Sequence, residues 1–112
     1  MTEKEFYLEH DGFRLHMKLA KPKAPSRCNL AIIQHGFTGD MEEDHNVGVS
    51  RALNDAGIAT LRTELYGHGQ SDGKFKDHTI YKWMTQMMFI INYAAGLDFV
   101  DKLFLPYLPS GR

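Results

Sequence analysis

Two glycine-bounded segments carry residue types that could do chemistry. The first is His35-Gly36-Phe37-Thr38-Gly39. Glycine lets a backbone turn tightly, and N–H groups fixed in such a turn can aim at one point. Acyl transfer builds negative charge on a carbonyl oxygen, which donors of that kind stabilise without reorganising. The segment therefore reads as an oxyanion-hole loop, and its plainer reading is a tight turn. The second segment is Tyr66-Gly67-His68-Gly69-Gln70-Ser71-Asp72-Gly73, whose last five residues match G-x-S-x-G formally. A nucleophile elbow needs a strand running directly into the serine and a helix directly after it. Here His68 and glycines precede Ser71, and residues 73–77 delay any helix. Ser71 and Asp72 are expected to bond backbone groups of a structural loop instead. Among the histidines, His35, His45, His68 and His78 are scattered, with no H-E-x-x-H and no cysteine at ligand spacing. They read as polar loop residues, and neither a metal nor a cofactor is expected. Met84, Met87 and Met88 read as core packing.

These segments need elements to hold them. Residues 5–9 form a short run with Phe6 and Leu8 on one side, followed by the turn dipeptide Asp11-Gly12. Phe13, Leu15, Met17 and Leu19 then alternate with Arg14, His16 and Lys18, which predicts an antiparallel hairpin with one buried face. Residues 21–27 contain Pro22 and Pro25 and read as a loop. Leu30-Ala31-Ile32-Ile33 is apolar without alternation, as in a strand covered on both faces. Residues 44–56 read as a helix with Val49, Ala52, Leu53 and Ala56 on one face, ending at Gly57. Residues 58–61 restart a strand. Thr79 can cap a helix over residues 80–95, whose stripe is Ile80, Met84, Met87, Met88, Ile91 and Ala95, widened by Trp83, Phe89 and Ile90. Leu103-Phe104-Leu105 begins a last strand that Pro106 interrupts. Alternating strands and helices imply α/β architecture with a parallel sheet. Ligands of such sheets bind beyond the carboxyl ends of the strands, where both glycine-rich segments fall.

Composition narrows the classes. At 112 residues the chain is one domain or part of one, with 43% hydrophobic and 24% charged residues and a formal net charge of −1. No basic field points to nucleic acid, and no polycationic face or long apolar span points to a membrane. The lone Cys28 forms no internal disulfide, and the charged N-terminus has no signal-peptide core, so a cytoplasmic location is expected.

Together and in this order, the two motifs resemble the α/β-hydrolase superfamily. The likeness is greatest to bacterial cinnamoyl or feruloyl esterases and to serine-aminopeptidase-like hydrolases. The matching text is Ala31-Ile32-Ile33-Gln34-His35-Gly36-Phe37-Thr38-Gly39, then Leu65 through Phe75, then Asp77-His78-Thr79 and the long helix. Most relatives place Asp where this chain has Glu64. The resemblance implies that Phe37 donates an oxyanion-hole N–H, that His35, Gly36 and Thr38 line the substrate, and that the 66–73 loop shapes the floor without doing chemistry. It implies a small-molecule ester as substrate and a serine acyl-enzyme route. It also implies that residues 1–112 are the N-terminal portion of the hydrolase sheet, truncated before the nucleophile elbow. After Leu105 this chain reads Pro-Tyr-Leu-Pro-Ser-Gly-Arg, where the family has Gly-His-Ser-x-Gly-Gly. Ser110 has no helix behind it and no positioned base. The expectation is a chain inactive by itself. The alternative is a non-enzymatic interaction protein, or a fragment that pairs with a separate C-terminal half or associates with itself through an open sheet edge.

Overall fold

The computed structural model describes residues 2–22, 27–34, 42, 44–74, 76 and 79–105. Strands β1 (Thr2–His10) and β2 (Phe13–Lys21) form the expected hairpin. Asp11 (φ 56°) and Gly12 (φ 83°) turn the chain between the paired residues His10 and Phe13. Positive φ at both positions is the two-residue turn whose twist matches the flanking strands. Both strands run longer than the hydropathy pattern marks, because pairing continues through the charged residues to Thr2 and Lys21.

The rest alternates: β3 (Cys28–Gln34), α1 (Asp44–Asp55), β4 (Ala59–Thr63), α2 (Ile80–Ala95) and β5 (Val100–Phe104). The sheet order is β1-β2-β4-β3-β5. β4 pairs antiparallel with β2, and β3 pairs parallel with both β4 and β5. The α1 and α2 connections leave β3 and β4 in opposite directions along the sheet. With crossovers of one hand this puts the helices on opposite faces. On β3, next to the outer strand β5, Cys28 is buried, its N–H donates to Phe99 O at 3.0 Å, and it pairs with Val100.

The two faces differ in chemistry. Leu15, Met17, Leu30, Ile32 and Leu61 point to the α2 side and meet Ile90 and Ala94. Each such side chain contributes about 1.5–3 kcal/mol on full burial. Thr79 caps α2 by accepting from Lys82 N–H at 3.1 Å, as expected. Its buried row, however, is Gln86, Ile90 and Ala94, while Met84 and Met88 are 58% and 62% exposed. The row is turned because Gln86 works inside the fold: its Oε1 accepts from Tyr66 N–H at 2.9 Å. Hydropathy alone counts that glutamine outside.

On the other side α1 meets polar strand residues, so its inward row is polar too. Asn46, Ser50 and Asn54, at i, i+4 and i+8, are buried, whereas Ala52 and Ala56 of the expected apolar face are exposed. Ser50 bonds Thr60 across hydroxyls at 2.6 Å, and Asn54 Nδ2 donates to Ile58 O at 2.9 Å. β2 also departs from the one-faced hairpin. Leu15, His16 and Met17 are all buried, because β2 lies between β1 and β4, and Glu5 of β1 and Glu64, just past the end of β4, close over His16.

Candidate active-site region

Gln34 at the end of β3 is the register partner of Thr63 at the end of β4. Both glycine-rich segments therefore leave the same edge of the parallel sheet, where ligands of such sheets bind. Phe37, the expected oxyanion donor, and His35, Gly36 and Thr38, the expected substrate contacts, lie outside the described residues. So do His78 and the tail after Leu105. The geometry available is that of the second segment and of what holds it.

Residues 64–73 are stitched to β2. Asp72 N–H donates to Arg14 O at 2.9 Å, and Arg14 N–H donates to Asp72 Oδ2 at 2.8 Å. The Arg14 guanidinium adds an ion pair to the same carboxylate at 3.2 Å. Ser71 Oγ accepts from His16 N–H at 2.8 Å and donates to Glu64 O at 2.5 Å. Its single proton and an acceptor site are thus both used on backbone. This is the structural role expected of Ser71 and Asp72, with the bonded backbone supplied mainly by β2. The positive-φ Gly73 lies against Tyr66, and a Cβ at Gly73 would stand 2.3 Å from carbons of that ring.

Under the loop sits a constellation that spacing does not reveal. His16 is 1% exposed, with Nδ1 at 2.8 Å from Glu64 Oε1 and Nε2 against Glu5 Oε2. Glu64, itself buried, also accepts from Gln70 N–H at 2.9 Å. Tyr7 stacks on the His16 ring at 5.0 Å between centroids. A serine–histidine–acid route needs an imidazole nitrogen directed at the hydroxyl. Here both ring nitrogens are directed at carboxylates, and Ser71 meets only the backbone of His16. The signal in the sequence was the acidic residue directly before the loop. Its histidine partner, 48 positions earlier, is invisible to spacing. His68, read as a polar loop residue, is buried instead, with Nδ1 3.0 Å from Tyr66 O and its ring edge-on to Trp83.

Among the described residues no group of three or more His, Cys, Asp or Glu side chains could hold a metal ion. No helix among them is long and apolar enough to cross a membrane.

Two predictions follow from this stitching. Ser71→Ala removes two backbone bonds and leaves His16 N–H buried. It should cost about 1–3 kcal/mol, read as a lower urea midpoint, and should remove no nucleophile. The second is a pH dependence. The Arg14 backbone and side chain hold the Asp72 carboxyl below its ordinary 3.8, and the hydrogen bond from Lys18 leads in holding Glu42 below 4.5. Their stability contribution is present above those ordinary values and is lost as pH falls through the depressed ones. The hydrogen bond to Glu42 raises Lys18 above 10.5, so its contribution is present below that value and is lost as pH rises beyond it. These three groups contribute no change between about pH 6 and 9, and their loss should lower the urea midpoint below about pH 4. Asp72→Asn should lower the plateau and flatten the acid limb. An acid limb unchanged in that variant would remove Asp72 from the account.

An antiparallel hairpin followed by parallel strands in the order β4-β3-β5, with helices on both faces, is part of the α/β-hydrolase fold, and the chain carries it. It is most informatively compared with Est1E from Butyrivibrio proteoclasticus. The structure of Est1E with ferulic acid bound matches with a TM-score of 0.87 and 50% identity, covering 89% of this chain and 41% of that one. A second Est1E structure matches with a TM-score of 0.78 and 42% identity, covering 90% and 38%. The α/β hydrolase GrgF from Penicillium sp. sh18 shares the fold at a TM-score of 0.81 and 17% identity, covering 92% and 36%. This chain thus spans about two fifths of the length of Est1E. Neither protein-family models nor curated proteins gave a match.

Proposed function

We propose that this chain forms the N-terminal portion of a serine-type carboxylic-ester hydrolase acting on small esters, with hydroxycinnamoyl esters as the substrate class. The observation that carries this reading is the 50% identity to Est1E, a protein seen with ferulic acid bound. Phe37 N–H is one donor to the oxyanion, and His35, Gly36 and Thr38 face the ester. The 64–73 loop braces this end of the sheet. The chain alone does not turn over ester. Ser50 and Ser71 have their hydroxyls committed to Thr60 and to backbone, and the described residues contain no serine with a histidine directed at it.

The test pairs this polypeptide with a fragment of Est1E lacking the matching N-terminal two fifths, refolded together. Hydrolysis of p-nitrophenyl acetate and methyl ferulate is followed for each piece and for the mixture. Turnover is expected only in the mixture. Phe37→Pro, which deletes the N–H, should lower kcat about 100- to 1,000-fold. A silent mixture, beside an active control rebuilt from both halves of Est1E, would end the esterase reading. Hydrolysis by this chain alone, lost with Ser71→Ala, would overturn the role given to that serine.

A second reading has its own observation. β5 pairs only with β3 among the described residues, and Phe104 and Leu105 are exposed beside an apolar hollow of about 280 Å³ that they line with Ala31 and Leu53. Exposed apolar surface at an open edge suits an interaction protein or self-association. Light scattering separates the two: a monodisperse monomer argues against self-association, and concentration-dependent oligomers argue for it.

A further inference from the structure

His16 stands in the middle of a row that crosses the sheet. It is the register partner of Tyr7 on β1, and on its other side its C=O accepts from Glu64 N–H at 3.0 Å. Side chains close the same row. Glu5, the diagonal neighbour on β1, reaches Nε2 of the ring, Tyr7 stacks on it, and Glu64 meets Nδ1. An imidazole is rigid, so its two nitrogens point in directions fixed relative to each other. Turning the ring to follow one carboxylate moves it off the other. Glu64 is in turn a fixed point for the loop. A Cβ on Gly69, at φ 52°, would stand 2.1 Å from Glu64 Cδ and Oε2, so the loop backbone runs directly against that carboxylate. The next residue, Gln70, donates its N–H to Glu64 Oε1 at 2.9 Å. A carboxylate that shifts either presses on Gly69 or leaves Gln70. A longer link lies beside this one, from the Tyr7 hydroxyl to Gln70 Oε1 at 3.4 Å.

We infer that β1 is a strap on the 64–73 loop, and that Glu5 is a positioning residue that sets the path of Gly69 and Gln70 through the His16 ring. Glu5 is half-exposed and lies on the outermost strand, which pairs with β2 alone among the described residues. The loop leaves the carboxyl end of β4, two strands away. Glu5 therefore acts at a distance, on the end of the sheet where ligands bind. The coupling is a matter of backbone and ring geometry and needs neither an ester nor the rest of a hydrolase. Whatever loosens β1 at Glu5 loosens the loop at Gln70.

Amide hydrogen exchange of the ¹⁵N-labelled full chain, read residue by residue by NMR, tests the strap. Gln70 N–H reports the bond to Glu64. Glu5→Ala should speed its exchange about tenfold. Glu5→Gln keeps a bonding oxygen without the charge and should speed it less. The amides of Leu61 and Ile90 should keep their wild-type rates in both. If Glu5→Ala speeds those core amides too, the milder Glu5→Gln decides by the same comparison. Glu3→Gln is the control for a strand that is merely loosened. It weakens the other β1 carboxylate that meets a buried side chain, Arg62, and should leave Gln70 as it was. The route is tested in a His16→Asn background, where the amide can stand in for Nδ1 beside Glu64 but nothing replaces Nε2. There Glu5→Ala should no longer change Gln70. A wild-type rate at Gln70 in both Glu5 variants overturns the strap. Equal acceleration by Glu3→Gln also overturns it, as does a Glu5 effect that persists without the imidazole.

Discussion

Glu64→Ala should markedly lower the stability of the chain. The side chain is 2% exposed, and its carboxylate accepts from His16 Nδ1 and from Gln70 N–H. Alanine strands a buried imidazole beside a single remaining carboxylate and leaves Gln70 N–H without that acceptor. Leaving a buried hydrogen-bonding group without its partner costs about 1–3 kcal/mol for each of the two groups, against a total stability of about 5–15 kcal/mol for a typical domain. The urea midpoint, followed by far-ultraviolet circular dichroism, checks the loss. Glu64→Gln keeps the shape and one acceptor oxygen, so it should cost less, about 1–3 kcal/mol. If Glu64→Ala unfolds within about 1 kcal/mol of wild type, the His16–Glu64 pair does not hold the loop to the sheet.

Gly73→Ala is the second large effect. Gly73 has φ 96°, where an L side chain costs about 1–2 kcal/mol. The added methyl would also stand 2.3 Å from the Tyr66 ring. That ring cannot step aside easily: it meets Phe13 edge-on at 4.8 Å, and Lys82 Nζ lies 3.9 Å from its centroid. With overpacking at about 1–3 kcal/mol, the sum comes to roughly 2–5 kcal/mol. Thermal and urea unfolding of the variant measure it. Ser71→Ala on the same loop supplies the comparison, because it removes hydrogen bonds without adding volume.

The elements whose cause is local could be read from the residues alone. Thr79 before an apolar run marked the start of α2, and Asp11-Gly12 marked the hairpin turn. What could not be read depends on which partner an element meets. The inward row of α1 is Asn46, Ser50 and Asn54 because Thr60 and Arg62 face it, and hydropathy ranks those three outward. Gln86 points inward for the same kind of reason, to reach Tyr66 N–H, and Met84 and Met88 turn outward as a result. The strand pattern put both motifs after strands whose last residues, Gln34 and Thr63, are paired. The brace beneath them was hidden, because Glu5, His16 and Glu64 come from three separate segments that only the fold brings together.

The thiol of Cys28 offers a clock. It is buried at the start of β3, where the backbone bond to Phe99 and the pairing with Val100 tie down the outermost strand. A thiol reagent reaches that sulfur when this cover opens, and the protein has no other cysteine to label. When opening and closing are fast relative to the chemistry, the labelling rate divided by that of a free thiol gives the fraction of time the site is open. One atom thereby reports how often the last strand lets go, and a molecule that docks against that strand should slow the clock.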